Sequence, residues 1–307
     1  MSTEQLALFP LGIDMTALRR SRELFEARAV PEATRLAYEF DWKDFSGWCL
    51  AAGRESMPAV SETVELYLVA SAQRGLAVST LQRRIWGIAR AHKIAHYPTP
   101  IGPGVWSMVA AIARQLGREQ RRVKALTADQ VSRMAATLPT HTAAGLRYRA
   151  ALLLGFSTGL RCSSLAALLL DDVQVEGRGL MVSVGRSKSD QEGRGHQIGV
   201  SSAEVIAAVD AWVQRRGLTP GRLFRCSVES LRQCVKSGCV RIGLDPSEYS
   251  THSLRAGMIT ALDAAGVSLP AIMERSGHKS VQVALRYVRH RQAFAHDPLA
   301  LVVKSVA

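Results

Sequence analysis

The stretch LMVSVGRSKSDQEGRGHQIGV, residues 180–200, is where the sequence changes its period. Leu180, Val182 and Val184 alternate with Met181, Ser183 and Gly185, and Ile198 and Val200 resume the alternation after a polar loop. A period of two places the apolar side chains on one face of a strand. The stretch therefore predicts a β-hairpin with a basic tip, Gly185–His196. On both sides the period returns to that of a helix. Upstream, Thr127 is placed to cap a helix running to about Leu138, a long apolar helix spans Ala143–Thr158, and another begins near Ser163. Asp171-Asp172 reads as a strand-entry turn. Everything beyond Ser201 reads as helix. The expected fold class is mainly α, with one small antiparallel sheet making the second half a mixed α+β domain.

Further upstream, residues 21–117 repeat apolar side chains at helical spacing: Leu36, Phe40 and Phe45, then Val64, Tyr67 and Leu68, then Leu81, Ile85 and Ile88. Breaks at Gly53, Pro58, Gly75 and Tyr97–Gly104 divide them into four or five short helices. Ser61 and either Ser79 or Thr80 are candidate N-caps. Residues 118–126 are charged and nearly free of bulky apolar side chains, as a linker is. The chain thus divides into a tail (1–20), a helical domain (21–117), the linker (118–126), a second domain (127–290) and a C-terminal tail (291–307). That last tail carries the apolar residues Leu299, Leu301, Val302 and Val303.

Composition narrows the function. The chain has 307 residues, 39 basic and 26 acidic, for a net charge of +13. Arginine supplies 32 of the basic residues. A globular chain this basic points to a polyanionic partner, and arginine grips phosphate with two parallel hydrogen bonds. Residues 1–118 carry +3 of the excess and residues 119–307 carry +10. No run of residues is apolar enough to span a membrane, and the N-terminus lacks a secretory pattern, so the expected location is the cytosol. The five cysteines are odd in number and are not spaced as paired ligands, so they read as small buried residues. No phosphate-binding glycine loop appears, and no convincing carboxylate cluster suggests a metal.

Four places could carry chemistry. In TGLRCSSL (158–165), Arg161 interrupts an apolar run, where a guanidinium is costly to bury without an anion. Lys188 sits in the hairpin tip. In HSLR, His252 and Arg255 are three apart and share a helical face. In SGHKSVQVALRYVRH (276–290), Gly277 ends one helix and Ser280 caps the next, with Tyr287 at the edge of an apolar face of Val281, Ala284, Leu285 and Val288. Taken singly, each has an ordinary reading: a helix cap, a solvated turn, a shared face, a core tyrosine.

Their order resembles the tyrosine recombinases, the phage-integrase family. The spacings from His252 to Arg255, His278 and Tyr287 are similar to those of its simple two-domain, Cre-type members. Residues 74–93 (RGLAVSTLQRRIWGIARAHK) resemble the family's SAM-like core-binding domain. The resemblance implies a C-shaped clamp on double-stranded DNA with paired inverted-repeat half-sites. It implies a site-specific recombinase acting through a 3′-phosphotyrosyl link and a Holliday junction. The implied catalytic residues are Arg161, Lys188, His252, Arg255, His278 and the nucleophile Tyr287. The first five would bind the phosphate or move protons, with Lys188 as general acid, His252 assisting deprotonation of the nucleophile or bonding the phosphate, and His278 donating to the phosphate. No metal, ATP or other cofactor is implied. The chain would be a monomer or dimer off DNA and a homotetramer on it, with the C-terminal tail docked on a neighbouring protomer. Thr80, Arg83, Arg84, Arg90, Arg121, Arg122 and Lys124 are the expected DNA contacts. One departure stands out: three positions after the first arginine the family usually has an acid, and here it is Ser164. That departure keeps open a non-catalytic DNA-binding relative. A type IB topoisomerase-like relaxing enzyme shares the chemistry and is the other alternative.

Overall fold

A computed structural model describes residues 14–28, 30–116, 123–185, 195–285 and 287. It divides into two compact units, Met1–Arg121 and Arg122–Ala307. Among the described residues no helix is long and apolar enough to cross a membrane.

The first unit is helical: α1 (Met15–Arg28), α2 (Glu32–Ala51), α3 (Ser61–Gln73), α4 (Val78–Ile94) and α5 (Pro103–Leu116). Helix α1 starts at Met15, inside the stretch expected to be a tail. The core gathers Phe45, Val64, Tyr67, Leu68, Leu81, Ile85 and Ile88, all excluded from solvent. Leu36 and Phe40 do not join it and stay exposed. On α2 the buried stripe is Asp41, Phe45 and Cys49, spaced four apart, and Phe40 lies one residue off that line. Two cap assignments also shift. Val60 precedes α3 and Ala77 precedes α4, while the Ser61 hydroxyl donates to the Pro100 carbonyl.

The second unit opens with α6 (Ala128–Ala136), where Thr127 and Gln130 form a reciprocal capping box. Helices α7 (Ala143–Thr158) and α8 (Cys162–Ala167) follow. A 3₁₀ turn at Leu170–Asp172 then feeds β1 (Val173–Glu176), a strand that period-two reading missed because its side chains are mostly exposed. Strands β2 (Gly179–Val184) and β3 (His196–Val200) complete an antiparallel sheet of order β1-β2-β3, with Val182 opposite Ile198. Leu180, Val182 and Val184 face the core as their alternation requires. Helices α9 (Ala203–Arg216), α10 (Val228–Arg241), α11 (His252–Ala264) and α12 (Leu269–Ser276) follow.

The stretch expected to be a linker packs against the second unit where it is described. Lys124 N–H donates to the Glu248 carbonyl and Leu126 N–H to the Ser253 carbonyl, and Leu126 is fully buried. These bonds tie the strap to the start of α11. Gly257 on that helix lets the strap pass: a Cβ there would lie 1.8 Å from the Leu126 carbonyl oxygen. All five cysteines are free, and burial raises the Cys49 thiol to about 11 and the Cys234 thiol to about 12.

Candidate active site

Three helix ends in the second unit converge. Helix α7 stops at Gly159, which takes the left-handed conformation (φ 62°) that glycine adopts without strain. Its carbonyl then points back into the protein, and two residues later Arg161 forms the N-cap of α8. Helix α11 begins with His252 and carries Arg255 one turn on. Helix α12 stops at Gly277 (φ 64°), and the His278 N–H closes the turn on the Met273 carbonyl at 3.0 Å. The chain then re-enters helix at Val281, which brings Tyr287 round against Met258, Ile259 and Ile272.

The side chains meet. His252 Nε2 lies 2.5 Å from the Tyr287 hydroxyl, and the His252 and His278 rings each lie 5.9 Å from the Tyr287 ring, centroid to centroid. Arg255 is 3% exposed. It donates from Nη1 to the Gly159 carbonyl at 2.8 Å and from Nη2 to His278 Nε2 at 3.1 Å. A guanidinium only donates, so His278 Nε2 is the acceptor and the proton of this neutral ring sits on Nδ1. From there it reaches the Ser276 Oγ at 2.7 Å. His278 thus accepts from Arg255 through Nε2.

The electrostatics follow from burial. Burial, with the Arg161 charge adding to it, lowers the Arg255 pKa to about 10, which leaves it cationic at neutral pH. Burial pushes His278 down to about 4, and the charges of Arg255 and Arg161 act the same way. His252 is lowered by desolvation and then by the same two arginines. Both imidazoles are thus neutral at pH 7. Among the described residues no carboxylate pairs with Arg255, whose partners are a carbonyl and a neutral ring. A buried cation without a counter-ion is an anion site in waiting. Beside it, a neutral imidazole against a phenol can take the phenolic proton.

The other expected residues fall in different places. Lys188, Arg121 and Arg122 lie outside the described residues. Arg84 is a correction: it is 5% exposed, and its Nη1 donates to Asp44 Oδ2 at 2.5 Å and Tyr67 Oη at 2.6 Å. It neutralises carboxylates inside the first unit and does not face outward. Arg83 is half-exposed and pairs with Asp41 at 3.0 Å. Thr80 and Arg90 are half-buried on α4, on the same face as Arg83. Lys124 is exposed, but its ammonium pairs with Glu248 at 2.7 Å. Ser164 is half-buried on α8.

Sequence reading missed the residues that hold α12 in place. Arg275 donates to the Ser157 carbonyl from Nε and Nη2, and to the Gly199 carbonyl from Nη2, lacing α12 to the end of α7 and to β3. His196, assigned to the hairpin tip, begins β3 and places Nε2 3.2 Å from the Arg275 carbonyl. Neither contact has a signature in spacing. Only an arginine immediately before Ser-Gly-His hinted at one.

Comparison with known proteins identifies the family. The phage integrase family model matches residues 124–293. An integrase/recombinase XerD homolog of Selenomonas ruminantium is 30% identical over 304 residues, covering 92% of this chain and 88% of the relative. The Cre recombinase of Escherichia phage P1 is 23% identical over 279 residues, covering 81% of each. The fold is similar to that of the Tn1549 transposon integrase solved with transposon right end DNA (TM-score 0.65, 16% identity, 93% of this chain and 98% of that one). It is also similar to a lambda integrase dimer bound to a core site (TM-score 0.59, 18% identity, 90% and 96%). The chain belongs to the phage integrase family and is a tyrosine site-specific recombinase.

Proposed function

We propose that this chain recombines double-stranded DNA at specific sites through a covalent 3′-phosphotyrosyl intermediate on Tyr287. The observation that carries the reading is the buried Arg255, without a carboxylate partner among the described residues, beside a Tyr287 hydroxyl 2.5 Å from His252 Nε2. Arg255 and Arg161 hold the non-bridging oxygens of the scissile phosphate, where negative charge builds in the transition state. His252 takes the Tyr287 proton as the phenol oxygen attacks phosphorus. The bond from phosphorus to the 5′-oxygen breaks, and Lys188 donates a proton to the leaving oxygen. A 5′-hydroxyl from the partner duplex reverses these steps and releases Tyr287. Each step exchanges one phosphate ester for another, so the sequence needs neither ATP nor a metal.

Two such exchanges pass through a Holliday junction in a homotetramer assembled on paired inverted half-sites. The C-terminal tail 291–307 docks on a neighbouring protomer, and the chain is a monomer or dimer off DNA. Thr80, Arg83 and Arg90 on α4, with Arg121 and Arg122, contact the duplex mainly at phosphates. Such contacts position the protein, and the affinity they provide falls with salt. The domains act as core-binding (21–117) and catalytic (127–290) halves.

A nicked suicide duplex, which traps the covalent stage, tests the reading. Wild-type protein accumulates a DNA adduct and Tyr287→Phe makes none. No adduct with wild type, or one that persists in the phenylalanine variant, would refute it.

A further inference from the structure

We infer that Ser276 is a positioning residue: its hydroxyl commits His278 to the Nδ1–H tautomer and thereby aims Nη2 of Arg255. The inference rests on the reading of Arg255 as a phosphate ligand. Ser276 is the last residue of α12 and is 4% exposed. Its Oγ donates to the Ile272 carbonyl at 2.7 Å, one turn back. That bond orients a lone pair toward His278 Nδ1, also at 2.7 Å. The left-handed Gly277 between them folds residue 278 back over residue 276.

The result is a chain of bonds with a single direction. Arg255 Nη2–H donates to His278 Nε2, His278 Nδ1–H donates to Ser276 Oγ, and Ser276 Oγ–H donates to the Ile272 carbonyl. Both ends fix the direction, because a guanidinium cannot accept and a carbonyl cannot donate. Every link is buried or half-buried, where an unmade hydrogen bond is costly. Reversing the imidazole would put two donors face to face at Arg255. The groups facing His278 are Arg255, Ser276, Tyr287, His252 and the charge of Arg161. The Ser276 hydroxyl is the only one of these that bonds to Nδ1. Without it, Nδ1–H loses its acceptor and the ring loses its reason to leave Nε2 bare. Arg255 then keeps its Gly159 bond but loses the second restraint that holds its plane.

The test uses the full-length chain with 15N-labelled histidine. Long-range ¹H–¹⁵N spectra report which ring nitrogen carries the proton, and loss of a signal in His278→Gln assigns it. Wild type is expected to show protonated Nδ1 and bare Nε2. In Ser276→Ala the preference shifts toward Nε2–H, and single-turnover cleavage of a nicked duplex slows about tenfold, the size of one hydrogen bond. DNA affinity stays unchanged. Ser276→Thr, if its His278 spectrum matches wild type, cleaves at the wild-type rate. An Nε2–H tautomer in wild type overturns the inference. So does Ser276→Ala with either the wild-type spectrum or the wild-type rate, or Ser276→Thr with the wild-type spectrum but slow cleavage. A wild-type protein that forms no adduct refutes the phosphate reading instead, and its His278 spectrum still decides the tautomer.

Discussion

Arg84 in the first unit and Arg255 in the second are both arginines on helices, 5% and 3% exposed. Their surroundings are opposite. Arg84 sits between Asp41 and Asp44, with Tyr67 Oη on the same guanidinium nitrogen. Burial alone would raise Asp44, but hydrogen bonds from Tyr67 and Arg74 and the Arg84 charge hold its carboxyl below the ordinary value. Arg255 has a carbonyl and a neutral imidazole. The first charge is balanced within the fold. The second meets no carboxylate among the described residues. Burial by itself therefore does not mark a functional arginine; a missing counter-ion does.

The same substitution at both positions gives the sharpest contrast. Arg255→Met is expected to slow single-turnover DNA cleavage by about 10³-fold, the upper end of the usual effect of removing a donor to transition-state charge. Its stability in chemical denaturation should fall by only about 1–2 kcal/mol, because the Gly159 carbonyl and His278 Nε2 lose a donor but no carboxylate among the described residues is orphaned. Arg84→Met should do the reverse. It leaves buried Asp41 with Arg83 alone and Asp44 with Arg74 alone, and should destabilise the first unit by about 3 kcal/mol. If Arg84→Met proved stable but unable to bind DNA, the contrast would collapse.

A smaller effect concerns pH. His278 is held near pKa 4 in the folded chain and rises to its ordinary value on unfolding. Between these values the unfolded chain binds the extra proton. Stability attributable to His278 is therefore intact above about pH 6.5 and is lost as the pH falls toward 4, by about 3 kcal/mol. Denaturation midpoints of wild type and His278→Phe, compared across that range, should converge as the pH drops. A constant difference would place the imidazole outside the buried cluster.

Much of this was legible in the sequence. The period change at Leu180 located β2 and β3, because one face of that pair is buried. Strand β1 was not, because Val175 is 78% exposed and carries no alternation. Thr127 announced its cap, and Gly159 and Gly277 announced the helix ends, since a stop in the left-handed region has a local signature. His252 and Arg255 shared a face, as a separation of three residues requires. Arg84 misled because sequence spacing ranks an arginine by its helix face, whereas its fate depended on Asp41 and Asp44, about 40 residues away. The Ser276 relay was invisible for a similar reason. It depends on a glycine turn, a ring tautomer and an arginine from another helix, none of which spacing encodes.

Arg255, which has no carboxylate partner among the described residues, is read as taking the scissile phosphate for its counter-ion. Replacing one non-bridging oxygen of that phosphate by a methyl group removes its charge while keeping the backbone geometry. Single-turnover cleavage by wild type and Arg255→Met, measured on the charged and the methylated duplex, tests the claim directly. The variant's deficit should shrink from about 10³-fold on the charged substrate to about tenfold on the neutral one. An equal deficit on both would show that Arg255 does not answer the phosphate charge.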